Sequence, residues 1–575
     1  MKILLAAVNA KFNHTNIAVR SIAGYARGKI PVAHQVEFGE WTINMPPSEI
    51  LRGLVQKKPD MIIFSTYIWN SEIIQKIIPD IKKVIPKCTV GAGGPEAGFN
   101  ADQWLKKLGD LDFVIAGEGE ETSLELFCGT KSLQDIGGIY LRNSAGKVTF
   151  TGERHLICNL DDIPFPYERI EDPENKIHYY ESSRGCPFSC AYCMSSLDKR
   201  VRFHSLERVC KDLQTFLDAK TCLVKFVDRT YNLNTPRYIA IWQYILDHHN
   251  GKTKFHFEIE AEYLDDEALQ FLQKVPEGIM QFEIGVQSCN QKTLEAVGRS
   301  KETEKLFANI RRIPKTIPVH LDLIAGLPFE DLDSFGDSLE KVLSLKPDEL
   351  QLGFLKVLHG TSMEQYALKN GWQWMENPNY EVLSTPELSY DGILFLKDVE
   401  TIVDALYNSG LFETTVQYAG RKLGWKNFFY TMAKKSRRNG NLDSPRKTNF
   451  WFDVLAEFFK DDKIGLELLK FDYLKNGKTS CFPSWLEHNY VKKRHLDAMI
   501  QNENRFGNRI EFAFSEYDEF AINPLEAFPE KTAEKKAPAS SVLESDQCFR
   551  ILFVYPRHNS KIKGCQILLP HLQEQ

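Results

Sequence analysis

Three cysteines stand close together in the stretch SSRGCPFSCAYCMSS (residues 182–196): Cys186, Cys190 and Cys193, spaced Cys-x3-Cys-x2-Cys. A structural zinc site closes with four protein ligands, and no second Cys-x2-Cys or finger-spaced histidine pair follows downstream. Three thiolates on one loop instead suit a [4Fe–4S] cluster with one iron left open. An open iron accepts a chelating small molecule, so the spacing points to a cluster that handles a cofactor directly. The chain has 12 cysteines among 575 residues, and only this group is clustered. That density is far too low for a disulfide scaffold and indicates a reducing compartment with one metal or redox site.

The elements that must hold the loop follow from the flanking pattern. Strand-like runs recur at HYYESSRG (178–185), LVKFVD (223–228), FHFEIE (255–260), QFEIGV (281–286), VHLDLIAG (319–326) and ELQLGF (349–354), with amphipathic helical stretches between. Six such units predict a partial (β/α)6 barrel over 177–370 rather than the closed eight-stranded form, with the cysteine loop at its mouth. Residues 1–145 also alternate, through KILLAAV, MIIFS, TVGAGG and DFVIAGEGE. This predicts a doubly wound, flavodoxin-like parallel sheet, whose ligands lie beyond the carboxyl ends of its strands. The glycines at 91–94 and 117–119 mark that edge. A proline-containing linker (146–176) joins the two α/β parts, a mainly α-helical domain is expected over 371–530, and 531–575 reads as linker and tail.

Charge and hydropathy narrow the partners. The net charge of −6 provides no global basic field for nucleic acid, and the basic runs KKSRRNG (434–440) and VKKRH (491–495) read as solvated loops. No stretch approaches 18 consecutive apolar residues, so no membrane span is expected, and the N-terminus lacks signal-peptide features. A cytoplasmic enzyme is the expectation.

The cysteine loop, with Tyr192 preceding Cys193, resembles that of the radical S-adenosylmethionine (SAM) superfamily. The resemblance implies that the amine and carboxylate of SAM complete the open iron, and that an electron from the cluster yields a 5′-deoxyadenosyl radical. Downstream motifs resemble the same superfamily and imply further SAM contacts. They are Asp228 in FVDRTYN, Glu260 in FEIEAEY, Gln287, Ser288 and Arg299 in EIGVQSCNQKTLEAVGR, and Asp322 in LDLIAGLPFED. A guanidinium such as that of Arg299 offers a planar fork to a carboxylate.

VGAGGPEAG (90–98), DFVIAGEGEETSLELF (112–127) and FSTYIWN (64–70) resemble the cobalamin (B12)-binding domain that precedes many radical SAM barrels. The resemblance implies corrinoid contacts from Ser65, Gly91, Gly93, Gly94 and Glu96, and from Gly117, Glu118, Gly119 and Glu120. His14 lies near the place of a cobalt-ligating histidine, but Phe12 and Ile17 replace the aspartate and glycine of that motif. No aspartate within the motif orients the imidazole. The region after the barrel resembles an uncharacterised C-terminal domain of the DUF4080 type, a helical cap that would shield a radical from solvent.

Together these resemblances imply a cobalamin-dependent radical SAM enzyme that methylates an unactivated carbon, with methylcobalamin as donor. A flavodoxin- or ferredoxin-type electron donor and a small-molecule or lipid substrate go with it. Three other readings stand beside it. One is a cobalamin-dependent cyclase or rearrangement enzyme without methyl transfer. Another is a methylthiotransferase with a second cluster on Cys88, Cys128 and Cys158. The third is a non-catalytic corrinoid-binding or sensory protein.

Overall fold

The computed structural model describes residues 1–476, 482–486 and 524, with the strands 512–520, 549–556 and 566–568. The basic run at 491–495 and the linker stretch at 530–542 lie outside the described residues. The chain divides into two compact units, Met1–Ile393 and Leu394–Gln575.

The first unit opens with β1 (Lys2–Asn9), set in parallel between β2 (Gln35–Thr42) and β3 (Met61–Ser65). Strands β4 (Thr89–Gly93) and β5 (Phe113–Ile115) continue in parallel, and β6 (Ile139–Arg142) and β7 (Val148–Phe150) complete the sheet antiparallel. The order is β2-β1-β3-β4-β5-β6-β7, the flavodoxin-like arrangement with an added hairpin. Leu4, Ala6 and Val8 pack with Ile74, Ile77 and Ile81 on one face, while Ile3, Leu5 and Ala7 meet Val19, Ala23 and Leu126 on the other. Burial on both faces is what makes β1 an almost unbroken apolar run.

Two features differ from expectation. The edge strand β2, QVEFGEWT, mixes apolar and charged residues on a half-covered rim and so lacks the apolar run by which its neighbours are recognised. The hairpin β6–β7 turns at Asn143–Lys147, where the Asn143 side chain accepts from the Ala145 and Lys147 amides, and it carries the sheet past residue 145. The connector beyond it is packed, with Ile157, Leu160, Ile163 and Tyr167 all buried.

The barrel begins at β8 (Ile177–Tyr180), from which β9 (Ser183–Arg184) and β10 (Arg202–Phe203) form a small antiparallel ladder. Strands β11 (Leu223–Phe226), β12 (Lys254–Glu258), β13 (Met280–Gln287), β14 (Val319–Ala325) and β15 (Glu349–Phe354) join β8 in one parallel sheet, ordered β15-β14-β13-β12-β11-β8. Along β13, Phe282, Ile284 and Val286 are buried while Gln281, Glu283, Gly285 and Gln287 are only partly so. The apolar set faces the outer helices and the polar set the concave side. A hairpin, β16 (Gln373–Trp374) and β17 (Val382–Ser384), follows, and Val382 N donates to Leu355 O at 2.9 Å, so this unit extends beyond residue 370.

The second unit contains the helices Glu413–Leu423, Trp425–Arg438, Thr448–Phe458 and Lys463–Asn476 around buried Phe412, Phe428, Trp451, Leu455 and Phe459. The basic run from 434 falls largely within a helix rather than a loop, and Arg437 pairs with Asp398 and Asp443. Strands β18 (Phe512–Phe520), β19 (Phe549–Pro556) and β20 (Gln566–Leu568) pair antiparallel. Part of the expected tail is therefore sheet. FRILFVYP has strong β-propensity, but its partner strand lies far upstream, across the polar stretch that suggested a linker.

Candidate active site

The cysteine loop hangs from the β9–β10 ladder at the carboxyl end of β8. Gly185 begins it with φ of 93°, and a Cβ there would lie 2.2 Å from the Arg200 carbonyl oxygen, so only glycine fits. Cys186 N donates to Asp198 O at 3.0 Å and Ala191 N to Val297 O at 2.9 Å, which pins both the base and the tip of the loop. Cys186 and Cys190 are buried and Cys193 is half-buried. Among the described residues no three His, Cys, Asp or Glu side chains converge as a single metal ion would need.

Arg299 and Glu260 meet beside the loop. Arg299 Nη2 donates to both Glu260 carboxylate oxygens, at 2.6 and 2.9 Å, and to Gly285 O at 2.7 Å, while Nη1 points to Cys190 Sγ at 3.8 Å. Burial pushes the Cys190 thiol up, and the guanidinium pulls against it. The Tyr192 hydroxyl is buried with no partner. An orphaned hydroxyl, a buried carboxylate–guanidinium pair and three thiols in one place fit a polar, charged cofactor bound at an open iron.

The other expected SAM contacts have protein neighbours of their own. Asp228 is fully buried and accepts from Ser182 N at 2.9 Å and from the Ser182 and Ser183 hydroxyls at 2.6 Å, so it fastens the entry to the loop. Ser288 donates to buried Glu330 at 2.6 Å, behind the strand end. Gln287 takes φ of 67° at a bulge and folds over Gly285. Asp322 lies on the concave face among Glu283, Glu258 and Lys225.

A cavity of about 1170 Å³ opens beside the loop. It is lined by Asn9, His14, Tyr67, Trp69, Gly94 and Gly117 from the first sheet, by Gly185 and Met194 from the loop, and by Tyr179, Lys225, Arg229 and Glu258 from the barrel. The first-sheet residues sit at the carboxyl ends of its strands, where doubly wound sheets bind ligands. Gly94 has φ of 96° against the Thr66 carbonyl, and Gly117, with φ of 70°, has open space beside it. Both fit a bulky ligand lying on the turns. Gly91 instead makes room for the Phe113 ring, Gly93 packs on Ile115, and Ser65 hydrogen-bonds Tyr67.

Glu118, Gly119 and Glu120 line this cavity as well, and the glutamates expected at the corrinoid also have protein partners. Glu96 is buried and accepts from Tyr380 Oη at 2.5 Å, and burial raises its carboxyl. Glu118 and Glu120 pair with Arg202 and Arg184, and Gly119 packs against Ile22. His14 Nδ1 lies 3.1 Å from the Tyr179 hydroxyl, so a tyrosine of β8 orients this ring where an aspartate would. Burial, with Lys11 and Lys225, pushes the imidazole's pKa below its ordinary value. Cys88, Cys128 and Cys158 are not brought together: their thiols turn to the carbonyls of Thr89, Lys29 and Leu156.

Tyr179, Lys225, Arg229 and Glu258 escaped the sequence reading. The signal was present as polar residues on successive barrel strands, Tyr179, Lys225 and Glu258, and just past one of them, Arg229. Lys225 Nζ lies 3.0 Å from Glu283, which also takes His256 Nε2 at 2.9 Å and is held ionised at about 2. Glu258 lies 3.8 Å from the same Lys225 ammonium, and its carboxylate also feels the nearby Arg229 guanidinium.

Three family descriptions match the chain: B12 binding domain over residues 3–127, radical SAM superfamily over 180–342, and the protein of unknown function DUF4080 over 369–539. An uncharacterised methyltransferase of Pyrococcus horikoshii is 26% identical over 352 residues, covering 56% of this chain and 72% of that protein. The cobalamin-dependent radical SAM methyltransferase TokK of Streptomyces tokunonensis is 24% identical over 389 residues, or 60% of this chain, which spans only 54% of that relative. The fold is also that of OxsB, a cobalamin-dependent SAM radical enzyme solved with aqua-cobalamin and SAM, at a TM-score of 0.59 and 16% identity over 82% of this chain and 78% of that one. The chain therefore joins a B12-binding domain to a radical SAM domain and a DUF4080 region. It is a radical SAM enzyme, and the cofactors of these domains are cobalamin, SAM and a [4Fe–4S] cluster.

Proposed function

We propose that the chain is a methyltransferase that places a methyl group on an unactivated carbon of a small polar substrate held on the concave face of the barrel. One observation carries the reading: a single cavity is lined by the strand-end turns of the B12-binding domain, by the cysteine loop and by barrel side chains. When bound, the cluster and SAM supply radical chemistry, and cobalamin supplies the methyl group.

Cys186, Cys190 and Cys193 hold the cluster, and Arg299 with Glu260 orients the charged groups of SAM beside it. Gly94 and Gly117 receive the corrinoid, with His14 and Trp69 beside it. Arg229 and Glu258 carry opposite charges into the same cavity, where Glu258 has only a long 3.8 Å ion pair to Lys225. A substrate with an acidic group toward Arg229 and an amine or hydroxyl toward Glu258 satisfies both. An acyl chain would desolvate both charges and offer Arg229 no partner, at a cost of several kcal/mol or more, which favours a polar molecule over a lipid. The electron enters from a flavodoxin- or ferredoxin-type donor.

The test is anaerobic turnover with trideuteromethyl-labelled SAM, a chemical reductant, and aqueous or lipid extracts of the source cells. Trideuteromethyl label in a water-soluble compound, with S-adenosylhomocysteine and 5′-deoxyadenosine both formed, is expected. Deoxyadenosine with no labelled product and no S-adenosylhomocysteine would refute methyl transfer and favour a cyclase-like reaction.

A further inference from the structure

The cysteine loop and the Gly117–Glu120 turn are bolted together by two arginines. The β9–β10 ladder pairs Arg184 with Arg202, so the two face the same neighbour from the two ends of the loop. Arg184 Nη2 donates to Glu120 Oε1 at 2.6 Å, its Nη1 lies 3.5 Å from Glu118, and its Nε donates to Glu181 at 2.7 Å. Arg202 embraces both oxygens of Glu118, at 2.7 and 3.2 Å, and also donates to Ile157 O at 2.7 Å. The Glu120 side chain is only 5% exposed, that of Arg202 12% and that of Arg184 15%.

Desolvated ion pairs of this kind contribute little net stability compared with apolar packing of the same volume; what they fix is geometry. Here both ends of the geometry are chemically placed. Glu118 and Glu120 open the helix Gly119–Cys128 directly after Gly117, which faces the cavity. Arg184 is separated from Cys186 only by Gly185, whose close approach to the Arg200 carbonyl leaves no slack. A displacement of the turn is thereby handed to the thiolates.

We propose that Arg184 and Arg202 are positioning residues that couple occupancy of the cobalamin side of the cavity to the cysteine loop. The proposal rests on the cobalamin reading. The test uses full-length protein with a reconstituted cluster, before and after one equivalent of hydroxocobalamin. It follows cobalt and iron content, the midpoint potential and electron paramagnetic resonance of the cluster, and hydrogen exchange over residues 185–201.

In the wild type, cobalamin is expected to shift the cluster potential and signal and to slow exchange in the loop several-fold. In Arg184→Met, and in the milder Glu120→Gln, both cofactors still bind but the shift and the protection are lost. Arg184→Lys does not restore them, because one ammonium cannot reach Glu120, Glu118 and Glu181 together. A full wild-type response in Glu120→Gln, or a wild type that binds cobalt with no change at the cluster, would overturn the coupling. A wild type that takes up no cobalt would overturn the functional reading and the coupling with it, and the metal analysis identifies that case.

Discussion

Asp322→Asn is expected to stabilise the first unit, and to do so increasingly as pH rises from 5 to 8. Burial and the nearby Glu283 and Glu258 carboxylates lift the Asp322 carboxyl to about 8, against the opposing pull of Lys225, and one of its oxygens is buried without a partner. In an unfolded chain the same group titrates near 3.9. Below about pH 4 both states hold the proton and nothing is gained or lost. Between about 4 and 8 the unfolded chain releases its proton while the folded chain keeps it, so folding loses stability as pH rises; above about 8 the difference is constant. At pH 7 a gap of about 3 units, at about 1.4 kcal/mol each, bounds the loss at about 4 kcal/mol.

Asparagine does not titrate and escapes this loss. At about 2.1 cal/mol/K per residue, the unit Met1–Ile393 has an unfolding entropy of about 0.8 kcal/mol/K. The variant should then melt up to about 5 °C higher than wild type at pH 7 and about 2 °C higher at pH 5. Calorimetric scans of cluster-loaded protein under argon at pH 5, 6, 7 and 8.5 would show it. A difference that stays flat, or shrinks as pH rises, would refute a neutral carboxyl on the concave face.

Cys190→Ala should lower iron from about four to below about one per chain and abolish 5′-deoxyadenosine formation, with cobalt content unchanged by metal analysis. Tyr380→Phe removes the donor to buried Glu96 and should cost about 1–3 kcal/mol. That loss should be larger at pH 8 than at pH 5 in thermal scans, because without its donor the Glu96 carboxyl rises further and folding opposes its ionisation more. Gly94→Ala sets a Cβ 2.6 Å from the Thr66 carbonyl oxygen at φ of 96°, a strain of about 1–3 kcal/mol; cobalt uptake should fall severalfold while iron is retained.

What was legible in the chain is what is local in it. The cysteine spacing, Tyr192, the turns at Gly94 and Gly117, and the two sheets follow from neighbouring residues and from apolar runs buried on one or both faces. Glu260 and Arg299, read from separate motifs, do meet beside Cys190. The residues whose protein partners the sequence did not announce are polar groups at strand ends, bonded to groups far off in sequence. Asp228 finds Ser182 and Ser183 some 46 and 45 residues away, Ser288 finds Glu330 at 42, and Glu120 finds Arg184 at 64. A carboxylate beside a glycine turn looks the same in sequence whether it faces a corrinoid or an arginine of the next domain. Only the packing of the two α/β parts decides between them.

The most direct measurement is iron, sulfide and cobalt analysis, with an absorption spectrum, on protein purified anaerobically from cells supplied with hydroxocobalamin. About four iron and one cobalt per chain is the expected result for a cluster on Cys186, Cys190 and Cys193 beside a corrinoid. About four iron with no cobalt would contradict the cobalamin-dependent function and leave a plain radical enzyme. Iron well above four, again without cobalt, would point instead to a second cluster.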